Sequence, residues 1–551
     1  MATRPTSPPM AEAAAALPTA RGRTGVLAAL ARQALRDARA RTVVFAYLFA
    51  VYAYIQPVGY RHTYPTDASR RAFAESFGGN PGLRLLYGQP HQIETTAGYT
   101  AWRVGGVLAI AAAAYGLLAA VRAGRAEEES GRTEVVLAAP VSRATANTAG
   151  LLAIAAGIAL LWVAEFVGLV AASIPAGGAA YFALATAMTA AVFTGIGALA
   201  GQLVPTRRGA LGLGAAALGV LFLLRTLADT VSGAGWLRWA TPLGWAELLR
   251  PLTDPAPLVL LLPLLTSGLL IAVAAGLARR RDIGAGLLPR RDSADPHLWL
   301  LGSSIAQALR GQARVIIAWL AATAAFMTIL GVVSHSLSTA DVPENVQRQI
   351  AKLGSGSIVT PTGYLAFLFF FVALAICLFV CTQIGTLRED EEQHLESVLA
   401  QPVARWRWLG GRLILTAIAA AAIALAAGIA AWVGATAAGV RVPLPSLLEA
   451  GANALPVAML FLGLGGLVYA LVPRVAAGIM YGLVAVAFLW QLVGALIGPP
   501  RWVLDLSPFA HLALVPSQPF QPVSAGVLAA VGLVGAIGAL AAFSRRDIAG
   551  P

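Results

Sequence analysis

The chain has 551 residues, of which 58% are hydrophobic and only 12% charged, with a formal net charge of +13 and a mean hydropathy of +0.73. A typical soluble domain is about 25% charged, so this composition excludes a soluble globular protein. The positive balance does not require nucleic acid: most of the 39 Lys and Arg residues fall in segments on one side of the apolar runs described next, a topology signal.

Residues 1–23 are Pro/Ala-rich, have no apolar run beside a basic start, and read as a disordered cytoplasmic tail. Segment 24–41 carries leucines at helical spacing beside Arg32, Arg36 and Arg39, and 299–314 does so beside Arg310 and Arg314. Each reads as an interfacial helix leading into a span, although a plain extension of that span has the same periodicity. Apolar runs long enough to cross a hydrocarbon core as helices lie near 42–58, 103–121, 148–172, 181–203, 210–229, 256–277, 315–333, 363–386, 413–437, 452–471, 475–498 and 523–543. The predicted fold is therefore an all-α polytopic membrane protein with twelve transmembrane helices. With the basic segments inside, both termini are cytoplasmic. Abundant Gly and Ala suit close helix contacts in lipid.

The outer segments differ in kind. The long loop 59–102 and the shorter 334–362 together suit a small lid. GWLRWATPLGWAELLRP within 230–255 and PPRWVLDLSPFAHLALVP within 499–522 are rich in Trp and Pro and too broken to span. They read as short re-entrant or cap helices, with ordinary aromatic-anchored loops as the alternative. Inside the spans ionisable groups are rare. Arg225 and Asp229 stand four apart and are expected to pair; Glu165 has no obvious partner. Charge in a membrane marks a possible substrate path, while a snorkelled structural charge fits equally. Neither site is acidic in the second half, where Glu165 aligns near Ala427 and Arg225 near Gln491. Cys377 and Cys381 share a helix face and read as packing; neither the cysteines nor the histidines form a metal pattern.

The chain is written twice. RAEEESGRTEVVLAAPVSR at 125–143 returns as EDEEQHLESVLAQPVAR at 389–405. Glu127 pairs with Glu389, Glu129 with Glu391, Glu134 with Glu396, Val136 with Val398, Leu137 with Leu399, Ala138 with Ala400, Pro140 with Pro402, Val141 with Val403 and Arg143 with Arg405. Further echoes keep the same order: QALR at 33–36 and 307–310, GIGALAGQLVP at 195–205 and GLGGLVYALVP at 463–473, TPL at 241–243 and SPF at 507–509, RRDI at 280–283 and 545–548. Such order indicates an internal repeat. The reading is a tail at 1–23, six-helix repeats at 24–283 and 298–551, and a Gly/Pro/Arg-rich linker at 284–297. Six spans per repeat make the two parallel, related by a pseudo-two-fold along the membrane normal.

Each repeated loop starts acidic, should continue as a short amphipathic helix, and then reaches Pro-Val-x-Arg. A charged helix with a small apolar face suits docking of a soluble partner, against the plainer reading of a solvated connector. The one lysine, Lys352, follows Ala351, so there is no Gly-Lys-Ser/Thr phosphate loop, and no chain of membrane acids and histidines suits a proton relay. Energy must come from a separate subunit.

At these residues the chain resembles the coupling loop of ABC-2-type ABC exporter permeases. The order of elements over 24–548, and RRDIGAG after the sixth span, resemble the tandem-fused polyketide-antibiotic (tetronasin-type) exporters of actinobacteria. The resemblance implies a pseudo-dimeric type V exporter fold in the bacterial plasma membrane. It implies two nucleotide-binding ATPase subunits, carrying ATP and Mg, docked on loops 122–147 and 387–412. It implies export of a hydrophobic or amphiphilic compound, with surrounding lipids as further partners and neither cofactor, metal nor catalysis in this chain. By position Glu127, Glu128, Glu129, Glu134, Pro140, Arg143, Glu389, Glu391, Glu396, Pro402 and Arg405 would couple the ATPase. Gln393 in place of Gly131 and Asp390 in place of Glu128 depart from the first copy, so the loops need not couple equally. The alternatives are a lipid or envelope-cargo permease of the same family, a secondary transporter, and a polytopic membrane enzyme. The enzyme would need clustered carboxylates, but Asp67, Glu75, Glu94, Asp341 and Glu344 are scattered.

Overall fold

The computed structural model describes residues 20–78, 84, 87–230, 233–288, 303–337, 360–399, 404–497, 502 and 505–546. Most of the expected tail, part of the linker and most of the second outer loop, with Lys352, Asp341 and Glu344, lie outside them. Among the described residues eleven helices are long and apolar enough to cross a membrane, which makes this a polytopic helical membrane protein. The expected span 475–498 forms a helix, Ala476–Ile497, whose apolar stretch Ala476–Gln491 is shorter.

The chain divides into two compact units, one of Met1–Pro65 with Arg84–Ser293, the other of Thr66–Leu83 with Ala294–Pro551. The first holds the long helices α1 (Ala20–Thr63), α3 (Thr96–Val121), α5 (Arg143–Ala171), α6 (Ala176–Leu203), α7 (Arg207–Thr230) and α9 (Leu261–Arg280), with short α4 (Arg132–Leu137) and α8 (Pro242–Leu248). The second holds α2 (Asp67–Gly78), α10 (Ser304–Leu337), α11 (Pro361–Leu399), α12 (Arg405–Ala437), α13 (Leu444–Ala452), α14 (Leu455–Leu471), α15 (Ala476–Ile497) and α16 (Pro522–Arg545). The segment 67–78 of the first outer loop is thus a helix of the second unit.

Close helix contact follows from small residues. In the first unit α1 lies along α5 and α3 along α6; Gly168 of α5 sits on the Ala50 carbonyl of α1, where a Cβ would not fit. In the second, α10 lies along α12 and α14 along α16, and Gly434 of α12 sits on the Thr328 carbonyl of α10. This is how helices associate in lipid, where apolar side chains alone supply little drive. Large side chains fill the space between: Phe49, Leu161, Leu169 and Phe182 in the first core, and Phe370, Phe488 and Phe509 in the second, with Phe370 and Phe488 stacked at 4.9 Å. Cys377 and Cys381 are buried and unbridged. Segments 24–41 and 304–314 run without a break into α1 and α10, and Arg32, Arg36, Arg310 and Arg314 are exposed on them.

The two charged segments fold differently. In the first, α3 passes through a π turn at Arg122–Ala126 and one helical turn at Glu127–Glu129. It stops at Gly131, whose φ of 74° is left-handed, a conformation that costs an L residue about 1–2 kcal/mol. In the second, α11 continues unbroken to Leu399. The expected separate helix does not form there, because Gln393 stands where Gly131 ends the turn and Gln is a good helix former.

Candidate functional site

The first charged segment is a hub. Arg125, fully buried, donates from Nε to the Gly201 carbonyl of α6 at 3.0 Å, from one terminal nitrogen to the Ala285 carbonyl at 2.7 Å, and from the other to Glu128 Oε2 at 2.9 Å. Glu128 receives Arg281, at the end of α9, at 2.6 Å on its other oxygen, and Arg281 Nε reaches Gln202 Oε1 at 2.6 Å. Arg143, at the start of α5, donates to the Arg281 carbonyl at 3.0 Å. Glu129 accepts the Arg207 amide at the N-terminus of α7 at 2.7 Å, where a carboxylate is favoured by the helix dipole. Arg132 stands 3.8 Å from Asp37 of α1 and 3.7 Å from Glu127, exposed pairs of small worth. Every long helix of the first unit is thus tied to residues 122–143. A carboxylate shared by two buried guanidiniums matters in proportion to their burial, since removing it strands both.

Beyond Gly131, α4 presents Glu134 and Val135 to the exterior, and Ala138, Ala139 and Pro140 of the turn that follows are exposed as well, with Val135 75% exposed. Ser142 then caps α5, its Oγ accepting from the Thr145 amide at 3.1 Å. Behind α4 lies a cavity of about 380 Å³, bounded by α1, the end of α3 and the start of α5. Phe45, Leu118 and Ile154 line it, with Arg41, Arg122 and Arg207 among its polar groups.

The second charged segment is tied to its own unit by a related set of bonds. Arg405 donates to the Arg546 carbonyl at 2.8 Å, as Arg143 does to Arg281. Arg546 pairs with Glu391, and the Tyr469 hydroxyl donates to the other Glu391 oxygen at 2.5 Å. Arg412 meets Asp390 at 3.1 Å and lies 4.0 Å over the Trp408 ring. Pro402 and the side chains of Glu389 and Glu396 lie outside the described residues.

At the opposite end of the first unit, Arg225 and Asp229 pair at 3.1 Å as expected, but within a tetrad. Arg225 also meets Glu247 of α8 at 2.5 Å, and Arg238 meets Asp229 at 2.7 Å. Gln89 donates to the Asp229 carbonyl at 2.8 Å. Burial raises the Glu247 carboxyl above the usual carboxylate range, and Arg225 opposes the shift. Two acids and two bases cancel, so the tetrad reads as a lock that holds the Trp-rich 235–248 turns, two short helical pieces, on α7. Glu165 is buried; one oxygen accepts from Thr186 Oγ1 at 3.1 Å, and the other has no hydrogen-bond partner among the described residues.

Sequence reasoning missed Arg281 and Arg546 as partners of the acidic loops, and Arg238 and Glu247 as members of the tetrad. The signal for the first pair was present, since RRDI occurs at the end of both halves. For the second there was none beyond proximity in a Trp-rich segment.

Comparison with known proteins gives two matches. The family model described as the C-terminal domain of the multidrug efflux system permease Rv1217c matches residues 69–280 and 301–544. The multidrug efflux system permease protein Rv1217c of Mycobacterium tuberculosis is 31% identical over 535 residues, covering 96% of each chain.

Proposed function

This chain belongs to the family of the multidrug efflux system permease Rv1217c, and from that premise we propose that it is the membrane-spanning permease of an ATP-driven ABC-2-type exporter. Its cargo is a hydrophobic or amphiphilic compound of the drug or polyketide-antibiotic class. It works in the bacterial plasma membrane with both termini cytoplasmic, as two six-helix repeats at 24–283 and 298–551. Two nucleotide-binding subunits, carrying ATP and Mg, dock on 122–147 and 387–412. The name of the relative supports efflux, and the absence of a Gly-Lys-Ser/Thr loop supports a separate energy source.

The observation that carries the coupling is the hub. A partner that pushes on the exposed face of α4 pushes on a segment bonded to α1, α5, α6, α7 and α9 and continuous with α3. Glu128 with Arg125 and Arg281, Glu129 with Arg207, and Arg143 with the Arg281 carbonyl carry displacement into the spans. Glu134 and Pro140 lie on the outer face with Val135 and make the contact itself. In the second half Glu391 and Arg405 bear on Arg546 in the same way.

The test is purification of the tagged chain in mild detergent from its native membrane. A co-purifying subunit with a phosphate-binding loop, at two copies per chain, is the expected result. Substrate-stimulated ATPase of that complex should be lost on charge reversal at both Glu134→Lys and Glu396→Lys. A lone chain after gentle cross-linking, or unchanged stimulation in the reversed variant, overturns the reading.

A further inference from the structure

Three arginines of the first unit converge without counter-ions. Arg41 on α1, Arg122 at the end of α3 and Arg207 at the start of α7 all line the 380 Å³ cavity, and among the described residues no carboxylate stands within ion-pair distance of any of the three. The same wall also carries Arg132 and three acids, Asp37, Glu127 and Glu128, so its lining charges sum to one positive. Asp37 and Glu127 face Arg132, and Glu128 is shared by Arg125 and Arg281. Arg122 and Arg207 lie near enough to Arg41 for their positive charges to repel it. Like charges gathered in one place destabilise the empty site and favour an anion. The wall also has an apolar part at Phe45, Leu118 and Ile154, and its hydroxyls, Thr42 and Tyr115, satisfy each other at 3.2 Å. The volume falls within the range of small-molecule sites, about 300–1,000 Å³.

We propose that this cavity binds an anionic amphiphile, its head on Arg41, Arg122 and Arg207 and its apolar body between α1, α3 and α5. Two sources share that chemistry: an anionic phospholipid of the surrounding membrane, and an acidic amphiphile that the protein handles. The second half supplies an internal contrast. By the repeat offsets, Arg41, Arg122 and Arg207 correspond to Val315, Ile384 and Val475, so the three-arginine set is not repeated at those positions and one site per chain is expected. The site rests on the first unit alone and needs no ATPase, so its failure would leave the proposed coupling untouched, and a lone chain would leave the site untouched.

The experiment is thermal stabilisation of the purified full chain in a neutral maltoside detergent. The probes are dodecyl phosphate, dodecanoate, dodecanol and inorganic phosphate. Saturable stabilisation by the two anionic amphiphiles, with none from dodecanol or inorganic phosphate at equal concentration, is expected. Arg41→Gln with Arg122→Gln should weaken the midpoint about thirtyfold, at roughly fivefold per charge near a membrane surface. Lysine at both positions should hold it within about threefold on the same electrostatic ground. Where the double variant does not accumulate, Arg41→Gln alone, at an exposed position, should show about fivefold. Repeating the titration in nanodiscs of phosphatidylcholine, with and without phosphatidylglycerol, assigns the source: competition by phosphatidylglycerol identifies a lipid site, and undiminished binding identifies a site for handled amphiphiles. Equal stabilisation by dodecanol, or an unchanged midpoint in the glutamine variants, overturns the proposal.

Discussion

The charged ends of the two units keep the same backbone tie and fill the space around it in opposite ways. In each, an arginine that opens the third long helix donates to the carbonyl of an arginine that closes the last, Arg143 to Arg281 and Arg405 to Arg546. Around the first tie stand Ala146, Gly201 and Ala278; at the corresponding positions of the second stand Trp408, Tyr469 and Phe543. Small residues leave voids of about 70 and 30 Å³ at the first end and admit the Arg125 side chain, which corresponds to Leu387. At the second end Trp408 and Phe543 stack at 5.5 Å, Tyr469 and Phe543 at 6.0 Å, and Arg546 lies over the Phe543 ring at 5.1 Å. The first end is held by shared charge; the second adds aromatic packing to its own ion pairs, Glu391–Arg546 and Asp390–Arg412. The same connection can therefore occur in two units while the physics that stiffens it differs.

The comparison is sharpest at Glu128. Glu128→Gln removes the carboxylate that two buried guanidiniums share and should cost about 3–5 kcal/mol. Asp390→Asn leaves Arg412 its Trp408 ring and should cost less, about 1.5–3 kcal/mol. Melting in detergent ranks the two, and a reversed order would break the distinction between the two ends. Next is Gly131→Gln, which imposes the second copy's residue on a left-handed turn and should cost about 1–2 kcal/mol. Its converse, Gln393→Gly, should cost about 1 kcal/mol by weakening the helix interior. Circular dichroism should show that loss as a small decrease in helix. Arg143→Ala and Arg405→Ala remove the shared hydrogen bond and should cost about 1 kcal/mol each. Unequal losses would mean that the two ties are not equivalent. The smallest effect on stability is expected of Val135→Asp on the exposed face of α4, within about 0.5 kcal/mol. The same variant should sharply reduce co-purification of the proposed ATPase, and full retention of that partner would remove α4 from the docking surface.

Much of the architecture was legible because it is local. A run of apolar residues declares a span whatever its neighbours. The Arg225–Asp229 pair was legible for the same reason, being one turn apart on one helix. Glu247 and Arg238 were not, since they reach the pair only when 235–248 folds back on α7. Arg281 lies 153 residues from Glu128. Its repetition as Arg546 marked it, but the partner could not be read from spacing. Glu165 appeared isolated, and its bond to Thr186 required the packing of α5 on α6.

By itself, then, the sequence determined that the chain is a polytopic helical membrane protein, where most of its long apolar helices run, that its acidic segments recur, and that no phosphate-binding loop accompanies them. These are properties of hydropathy, helix propensity and order along the chain, each decided within a few turns. Only the tertiary structure decided that one acidic segment is a hub for its unit while its copy is an unbroken helix end tied by ion pairs beside aromatic rings. Only it decided that three arginines from three helices line one cavity with Phe45, Leu118 and Ile154. Ion pairing and cavity formation depend on distances across helices, and those are set by how small and large side chains interlock, which no linear pattern records.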